Sequence, residues 1–213
     1  MKLYYLNKPK WDHDSNTGDP DYGKYATFAY YGTLDTSQAC EECAIGTKAV
    51  EPLQVAWESG SDLIADVTWT SGSFHMLVRE HVKLFMEERG FNCVFSDKLE
   101  HMHSEFLRKR QKHVKLPYTV PKLYWLRCED FVSLDREHAH VRLRSVCPKC
   151  GSEDNALSWE NNFIRKEEIG DKKIFKIRDY GRFECKMITE DAYNELLSQN
   201  FTNLKFMLGG ETT

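Results

Sequence analysis

Cys40-Glu-Glu-Cys43 and Cys147-Pro-Lys-Cys150-Gly151 are the stretches around which this chain is organised. In each of these knuckles a two-residue spacer lets both thiolates of a tight turn reach one ion about 2.3 Å away. Two knuckles can complete a tetrahedral site. We therefore predict one structural Zn²⁺ per chain, bound by Cys40, Cys43, Cys147 and Cys150. Sulfur would fill every coordination position, so this zinc would be structural and not catalytic. We assign no catalytic residue and predict that the chain is not an enzyme.

Two other interpretations of the cysteines stay open. A redox CxxC motif stands at the start of a helix after a strand, and neither knuckle is followed by a clear apolar helix. A disulfide framework is disfavoured because the chain has 7 cysteines, an odd number. The other three, Cys93, Cys128 and Cys185, stand among apolar residues, as small buried thiols do.

The composition is that of a globular protein, with 213 residues that are 41% hydrophobic and 13% aromatic. A formal net charge of −4 gives no general attraction to nucleic acid or to anionic membranes. Residues 1–10 lack the apolar core of a signal peptide, and no later apolar run approaches the roughly 18 residues of a spanning helix. We expect a cytoplasmic protein without a membrane segment; its oligomeric state is not indicated.

The pattern of apolar residues predicts a single α+β domain over residues 1–213, with mostly antiparallel sheets and two main helices. Ser73 caps the first predicted helix, whose apolar face runs from Phe74 to Met86 and which stops at Gly90. Thr189 caps the second. A tail at 209–213 is predicted to fray. Strands are predicted at 2–6, 25–31, 50–57, 63–69, 91–95, 123–126, 141–146, 174–177, 183–187 and 204–208.

Several histidines are weaker candidates for a second site. On a strand, His138 and His140 would share one face and could bind another metal. His101 and His103 are further candidate ligands of a second metal. A metal-dependent hydrolase using His138 and His140 would lack a third ligand and a general base. His103-Ser-Glu105 before Cys147-Pro-Lys-Cys150 is partly similar to a zinc deaminase signature, but Val146 stands where that signature has proline.

The order of features resembles the double-CXXCG-motif family of bacterial paralogues, best known from myxobacteria. The resemblance covers most of the chain and differs at the first knuckle, where Ala44 replaces the glycine that Gly151 supplies in the second. It rests on the knuckles at 40–43 and 147–151, Trp57…Asp62…Asp66-Val-Thr-Trp69, a helix ending near Gly90-Phe91, Leu123-Tyr124, and a closing strand, Thr189-capped helix and strand.

The resemblance implies an immunity protein that binds and neutralises a cognate protein toxin, with zinc in a structural role. Acidic loops such as Asp12–Asp21 would suit a basic toxin, for example a nuclease. The alternative is a zinc-ribbon-like nucleic-acid-binding or regulatory protein that uses the basic run Arg108–Lys115. Steep salt dependence of binding would distinguish it from the immunity protein.

Overall fold

The structure is a computed structural model. It describes residues 1–8, 11–12, 17–20, 23–30, 32, 34–57, 63–71, 75–101, 121–139, 141–155, 161–180 and 185–213. The described helices are α1 (Glu80–Glu88), α2 (Lys166–Ile169) and α3 (Glu190–Ser198). The described strands are β1 (Lys2–Asn7), β2 (Trp11–Asp12), β3 (Thr17–Gly18), β4 (Phe28–Tyr30), β5 (Leu34–Asp35), β6 (Lys48–Ala49), β7 (Leu53–Trp57), β8 (Val67–Ser71), β9 (Met76–Arg79), β10 (Val94–Ser96), β11 (Leu99–His101), β12 (Leu123–Arg127), β13 (Phe131–Val132), β14 (Leu143–Val146), β15 (Glu153–Asn155), β16 (Asn162–Ile164), β17 (Ile174–Ile177), β18 (Lys186–Thr189) and β19 (Lys205–Thr212).

Most described strands belong to two large mixed sheets. The first sheet has the order β13-β17-β18-β1-β19-β16, and the second has the order β10-β12-β9-β8-β4-β7-β11. The prediction of an α+β fold is confirmed in this coarse form. The prediction of mostly antiparallel sheets needs correction, because each large sheet also contains parallel pairs: β13 with β17, β16 with β19, β4 with β8 and β7 with β11. Apolar patterning marks a strand, but it does not set the direction of the neighbouring strand.

One strand–helix unit occurs twice in the chain. β9 leads directly into α1 and β18 leads directly into α3, and both helices have nine residues. Soon after each helix stands a residue with positive φ, Gly90 at 67° and Asn200 at 52°, followed by a phenylalanine. The rings of Phe85 and Phe201 meet edge to face with centroids 5.6 Å apart. The two units therefore pack against each other.

The first helix begins later than predicted. The predicted cap Ser73, with Phe74, lies outside the described residues, while Leu77 and Val78 belong to β9. These two side chains are fully buried and pair in the ladder with β12. An apolar run of this length can form either a buried strand or a helix. Here it forms a strand because β12 is available as its hydrogen-bonded neighbour. The predicted stop at Gly90 is confirmed by its φ of 67°.

The predicted cap of the second helix is confirmed. Thr189 has extended backbone, and its Oγ1 accepts a hydrogen bond from Ala192 N at 3.4 Å. Glu190 and Asp191 follow in the first turn, where negative charge is favourable. The predicted hairpin before it is also present, with β17 antiparallel to β18. Residues 181–184 of its connection lie outside the described part of the chain.

The predicted frayed tail at 209–213 is wrong. β19 runs to Thr212, antiparallel to β1 and parallel to β16. Thr213 N donates to Ile164 O at 3.0 Å, and Thr213 Oγ1 donates to a carboxylate oxygen of Asp135 at 2.8 Å. The glycines that suggested fraying allow a close approach to neighbouring strands.

A shared apolar core joins the two large sheets. Ile174 and Ile188 of the first sheet lie in one buried cluster with Val67 and Val78 of the second. The helices supply Val82, Met86, Ala192 and Leu196 to the same cluster. The opposite face of the first sheet has its own buried cluster, which includes Leu3, Tyr5, Phe175 and Met187. The first sheet is therefore buried on both faces, so its strands read as apolar runs.

Candidate metal centre

The first knuckle lies within a two-stranded ribbon formed by β5 and β6. Ala44 N donates to Cys40 O at 2.8 Å, and Cys40 N donates to Ile45 O at 2.8 Å, which closes the turn. Ala44 has a φ of 57°, in the left-handed region that favours glycine. Ala44 therefore adopts a backbone conformation that glycine normally occupies.

The second knuckle repeats this construction at the turn between β14 and β15, which pair antiparallel. Gly151 N donates to Cys147 O at 2.9 Å, and Cys147 N donates to Ser152 O at 2.8 Å. Gly151 has a φ of 71°. The two knuckles thus have matching backbone hydrogen bonds although only one contains the glycine.

The fold brings all four predicted ligands together. The Sγ atoms of Cys40 and Cys147 are 3.8 Å apart, and those of Cys43 and Cys150 are 3.6 Å apart. All four sulfurs lie within 4.8 Å of one another. A tetrahedron with metal–sulfur bonds of about 2.3 Å has edges of about 3.8 Å. The sulfurs are thus arranged to hold a metal ion, and they are too far apart for disulfide bonds.

The local environments of Cys40, Cys43 and Cys150 shift the pKa values of their thiols in different directions. Hydrogen bonds from the Ser152 hydroxyl and backbone N–H lower the pKa of Cys150 to about 6, and backbone N–H groups of Cys43 and Glu42 lower the pKa of Cys40. At Cys43 the Ile45 N–H favours the thiolate, but desolvation and the neighbouring sulfurs outweigh it and raise the pKa to about 12. Four thiolates so close together repel one another, and a bound cation would offset that repulsion.

Contacts around the sulfurs are mainly polar and exposed. Glu41 and Lys149, each within a knuckle, form an ion pair across the site. Their side chains are 83% and 51% exposed, so this pair adds little to stability. A metal ion shared by the four sulfurs would join the two knuckles far more strongly than this ion pair does.

His138 belongs to a different group of side chains. Its Nδ1 lies 3.0 Å from a carboxylate oxygen of Asp135, and Asp135, Glu137 and His138 form a second cluster with possible metal ligands. The Asp135 carboxylate is already used: it accepts hydrogen bonds from Thr213 Oγ1 at 2.8 Å and Glu137 N at 3.2 Å. We interpret this cluster as a structural anchor for the C-terminal strand.

Of the other histidines predicted as possible ligands, His101 is described and is not part of the four-cysteine cluster. His101 ends β11, and its ring centroid lies 5.8 Å from that of Phe28. His103 and His140 lie outside the described residues, as does the basic run Arg108–Lys115. The acidic loop Asp12–Asp21 is described only in part.

No protein-family model matches this chain, and no curated protein matches it. Among the described residues, no helix is long and apolar enough to cross a membrane.

Proposed function

We propose that this protein is an immunity protein that binds a cognate antibacterial toxin, and that Zn²⁺ in the four-cysteine site holds its fold rigid. The observation that carries the structural role of the metal is the closed set of four sulfurs. Tetrahedral sulfur sites favour Zn²⁺ or iron, and Zn²⁺ with four protein ligands has no open position for catalysis. A rigid scaffold presents a preorganised surface, which lowers the entropic cost of binding.

The metal is tested by elemental analysis of the purified native protein. We expect about one zinc ion per chain and no iron. The variants Cys40→Ser and Cys147→Ser should both lose the ion, because each removes one ligand of a shared site. Zinc that stays bound to Cys40→Ser at full stoichiometry would contradict a shared site.

The partner is tested by growth rescue in a bacterial host. The product of the gene adjacent to the protein's own is produced with and without the wild-type protein. We expect growth to be restored and the two purified proteins to elute together in size-exclusion chromatography. Lys166→Gln, an exposed change far from the knuckles in sequence, serves as a control that should rescue fully.

A nucleic-acid-binding function would give another pattern. Binding to a random DNA or RNA duplex would then fall steeply as salt rises, since phosphate contacts release counterions. Salt-sensitive duplex binding together with no growth rescue would overturn the immunity proposal in favour of this alternative.

A further inference from the structure

Two cysteines outside the metal centre lie opposite each other at the end of a strand pair. β10 and β12 are antiparallel, and their ladder ends where Val94 pairs with Arg127. Cys93 precedes β10 and Cys128 follows β12, so these two cysteines are the next positions of the same register. Residues directly opposite each other in an antiparallel pair have Cα atoms about 4.5–5.5 Å apart. A disulfide needs about 4.4–6.8 Å, so the register places Cys93 and Cys128 within reach of a disulfide bond.

The side chains of this pair share one apolar environment. Cys128 is 4% exposed and belongs to the buried cluster between the two large sheets, and Cys93 packs against that cluster. Burial raises the pKa of Cys93 to about 12, and the neighbouring Cys128 adds to the rise. Both cysteines are free. The pair is therefore a dithiol in the register of a cross-strand disulfide.

A side-chain bridge holds the two segments together beside the pair. Asn92 Nδ2 donates to Asp130 Oδ2 at 2.7 Å, which joins the residue before Cys93 to the segment after Cys128. The same amide donates to Ile174 O at 2.7 Å, and its Oδ1 accepts a hydrogen bond from Ile174 N at 3.0 Å. These contacts anchor both cysteine segments on β17. The bridge therefore keeps the two cysteines aligned.

A cavity gives small molecules access to one thiol of the pair. Cys128 lines a cavity of about 1160 Å³, which lies where the two large sheets meet the ribbons that carry the knuckles. Lys176 and Lys186 also line it. Burial raises the pKa of Cys128 to about 11, and the charges of these two lysines act against the rise. Cys128 is thus the more acidic thiol of the pair and the one that a reagent in the cavity contacts first.

We propose that Cys93 and Cys128 form a reversible disulfide by exchange with a low-molecular-weight disulfide that enters this cavity. The Cys128 thiolate attacks one sulfur of the reagent and expels one thiolate, which leaves a mixed disulfide in the cavity. The Cys93 thiolate then attacks Cys128 Sγ and expels the second thiolate. The two protein thiols are oxidised to one disulfide, the reagent is reduced to two thiols, and these take up the two protons.

The bond would fasten an edge strand. β10 is at the end of the second sheet and pairs there with β12. A disulfide from Cys93 to Cys128 would close the loop that contains β10, β11 and β12, and a closed loop restricts the unfolded chain. We expect oxidation to raise the Tm by about 5–10 °C. This redox site goes beyond toxin neutralisation and does not depend on it. Its test uses no toxin, so either proposal can fail alone.

The test exposes the purified wild-type protein to hydroxyethyl disulfide at about pH 8.5, because thiolates are the reacting form and burial keeps both thiols protonated at neutral pH. The remaining free thiols are then alkylated, and the protein is digested and analysed by mass spectrometry without reduction. We expect a peptide that links Cys93 to Cys128 and that is lost after treatment with dithiothreitol. The Tm before and after exposure measures the stabilisation.

Three variants locate the bond. Cys93→Ala should lose the linked peptide and the rise in Tm but keep a hydroxyethyl group on Cys128, because nothing resolves the mixed disulfide. Cys128→Ala should lose the linked peptide and the rise in Tm as well. Cys185→Ala, a change in the buried cluster on the opposite face of the first sheet, is the matched control and should keep both.

Two results would overturn the proposal. One is a linked peptide that joins Cys93 or Cys128 to a different cysteine. The other is a wild-type protein in which both thiols can still be alkylated after an exposure that modifies them when the chain is unfolded in urea.

Discussion

Ala44 stands where the second knuckle has glycine, yet the backbone turn is the same in both knuckles. Its φ of 57° is close to the 71° of Gly151 at the matching place in the other knuckle. The left-handed conformation costs an L-residue about 1–2 kcal/mol, because Cβ approaches the following carbonyl oxygen. The hydrogen bonds of the turn help to offset this cost.

Ala44→Gly should therefore stabilise the metal-loaded protein. We expect a gain of up to about 1 kcal/mol in the free energy of unfolding, reduced by the greater freedom of glycine in the unfolded chain. Urea denaturation measures the change. Gly151→Ala is the matched reverse substitution and should lose a similar amount. A loss of stability in Ala44→Gly would show that the left-handed turn is not strained by alanine.

The role of Asp135 follows from the groups that surround its carboxylate. Its side chain is 3% exposed and faces Thr213, His138, Arg165 and the Glu137 N–H. The hydrogen bond from the Thr213 hydroxyl contributes most to lowering the pKa of Asp135 from 3.8 to about 2, with Glu137 N–H, His138 and Arg165 adding to it. The ionised carboxylate therefore stabilises the folded state.

The stabilisation by the ionised Asp135 carboxylate decreases as the pH falls. The folded pKa of Asp135 is lowered, so its stabilisation is complete above the unfolded value of 3.8 and is lost as pH falls towards about 2. Asp135→Asn should lower the midpoint of urea unfolding at about pH 6, and the difference from wild type should shrink as pH approaches about 2. The matched control is Glu137→Gln, which leaves the Glu137 N–H in place. A difference that stays constant over this range would contradict the assignment.

At the scale of elements, the last strand depends on a glycine. Gly210 of β19 is the direct partner of Asn162 of β16. A Cβ added at Gly210 would lie 1.9 Å from Asn162 O and 2.7 Å from the Asn162 carbonyl carbon. These are backbone atoms of a paired strand, so they cannot move aside without breaking the pair.

Gly210→Ala should therefore destabilise the protein severely. We expect a loss on the order of 2–4 kcal/mol, the range of substitutions that force a packed backbone apart. Thermal unfolding measures the change. Glu211→Ala, at an exposed neighbouring position on the same strand, is the control and should remain within about 0.5 kcal/mol of wild type. Equal stability of Gly210→Ala and wild type would restore the interpretation of 209–213 as a frayed tail.

At the scale of the whole molecule, the four-cysteine cluster brings together distant parts of the chain. The paired cysteines are 107 positions apart in sequence. Closing so long a loop restricts the unfolded chain, and binding of structural zinc contributes about 10–16 kcal/mol in small peptides. This is comparable with the net stability of a typical domain, about 5–15 kcal/mol. We therefore expect the folded protein to be stable only when the ion is bound.

Removal of the metal should lower the Tm substantially. We expect chelation to lower the Tm of the wild-type protein and to leave Cys40→Ser and Cys147→Ser unaffected, because these variants no longer bind the ion. The matched control is Cys93→Ala, which changes a half-buried cysteine outside the cluster and should retain the ion and the response to chelator. An unchanged Tm after proven removal of the metal would contradict a structural role.

The sequence by itself determined the features that depend on neighbouring residues. The two CxxC spacings identified all four sulfurs, since the reach of a knuckle is set by a few bonds. Thr189 identified the start of α3 for the same reason. Only the tertiary structure decided that Leu77 and Val78 form a strand and that residues 210–212 pair with neighbouring strands. The same holds for the position of Lys176 and Lys186 at one cavity. The partner of each strand comes from a distant part of the chain, so local sequence patterns do not predict it.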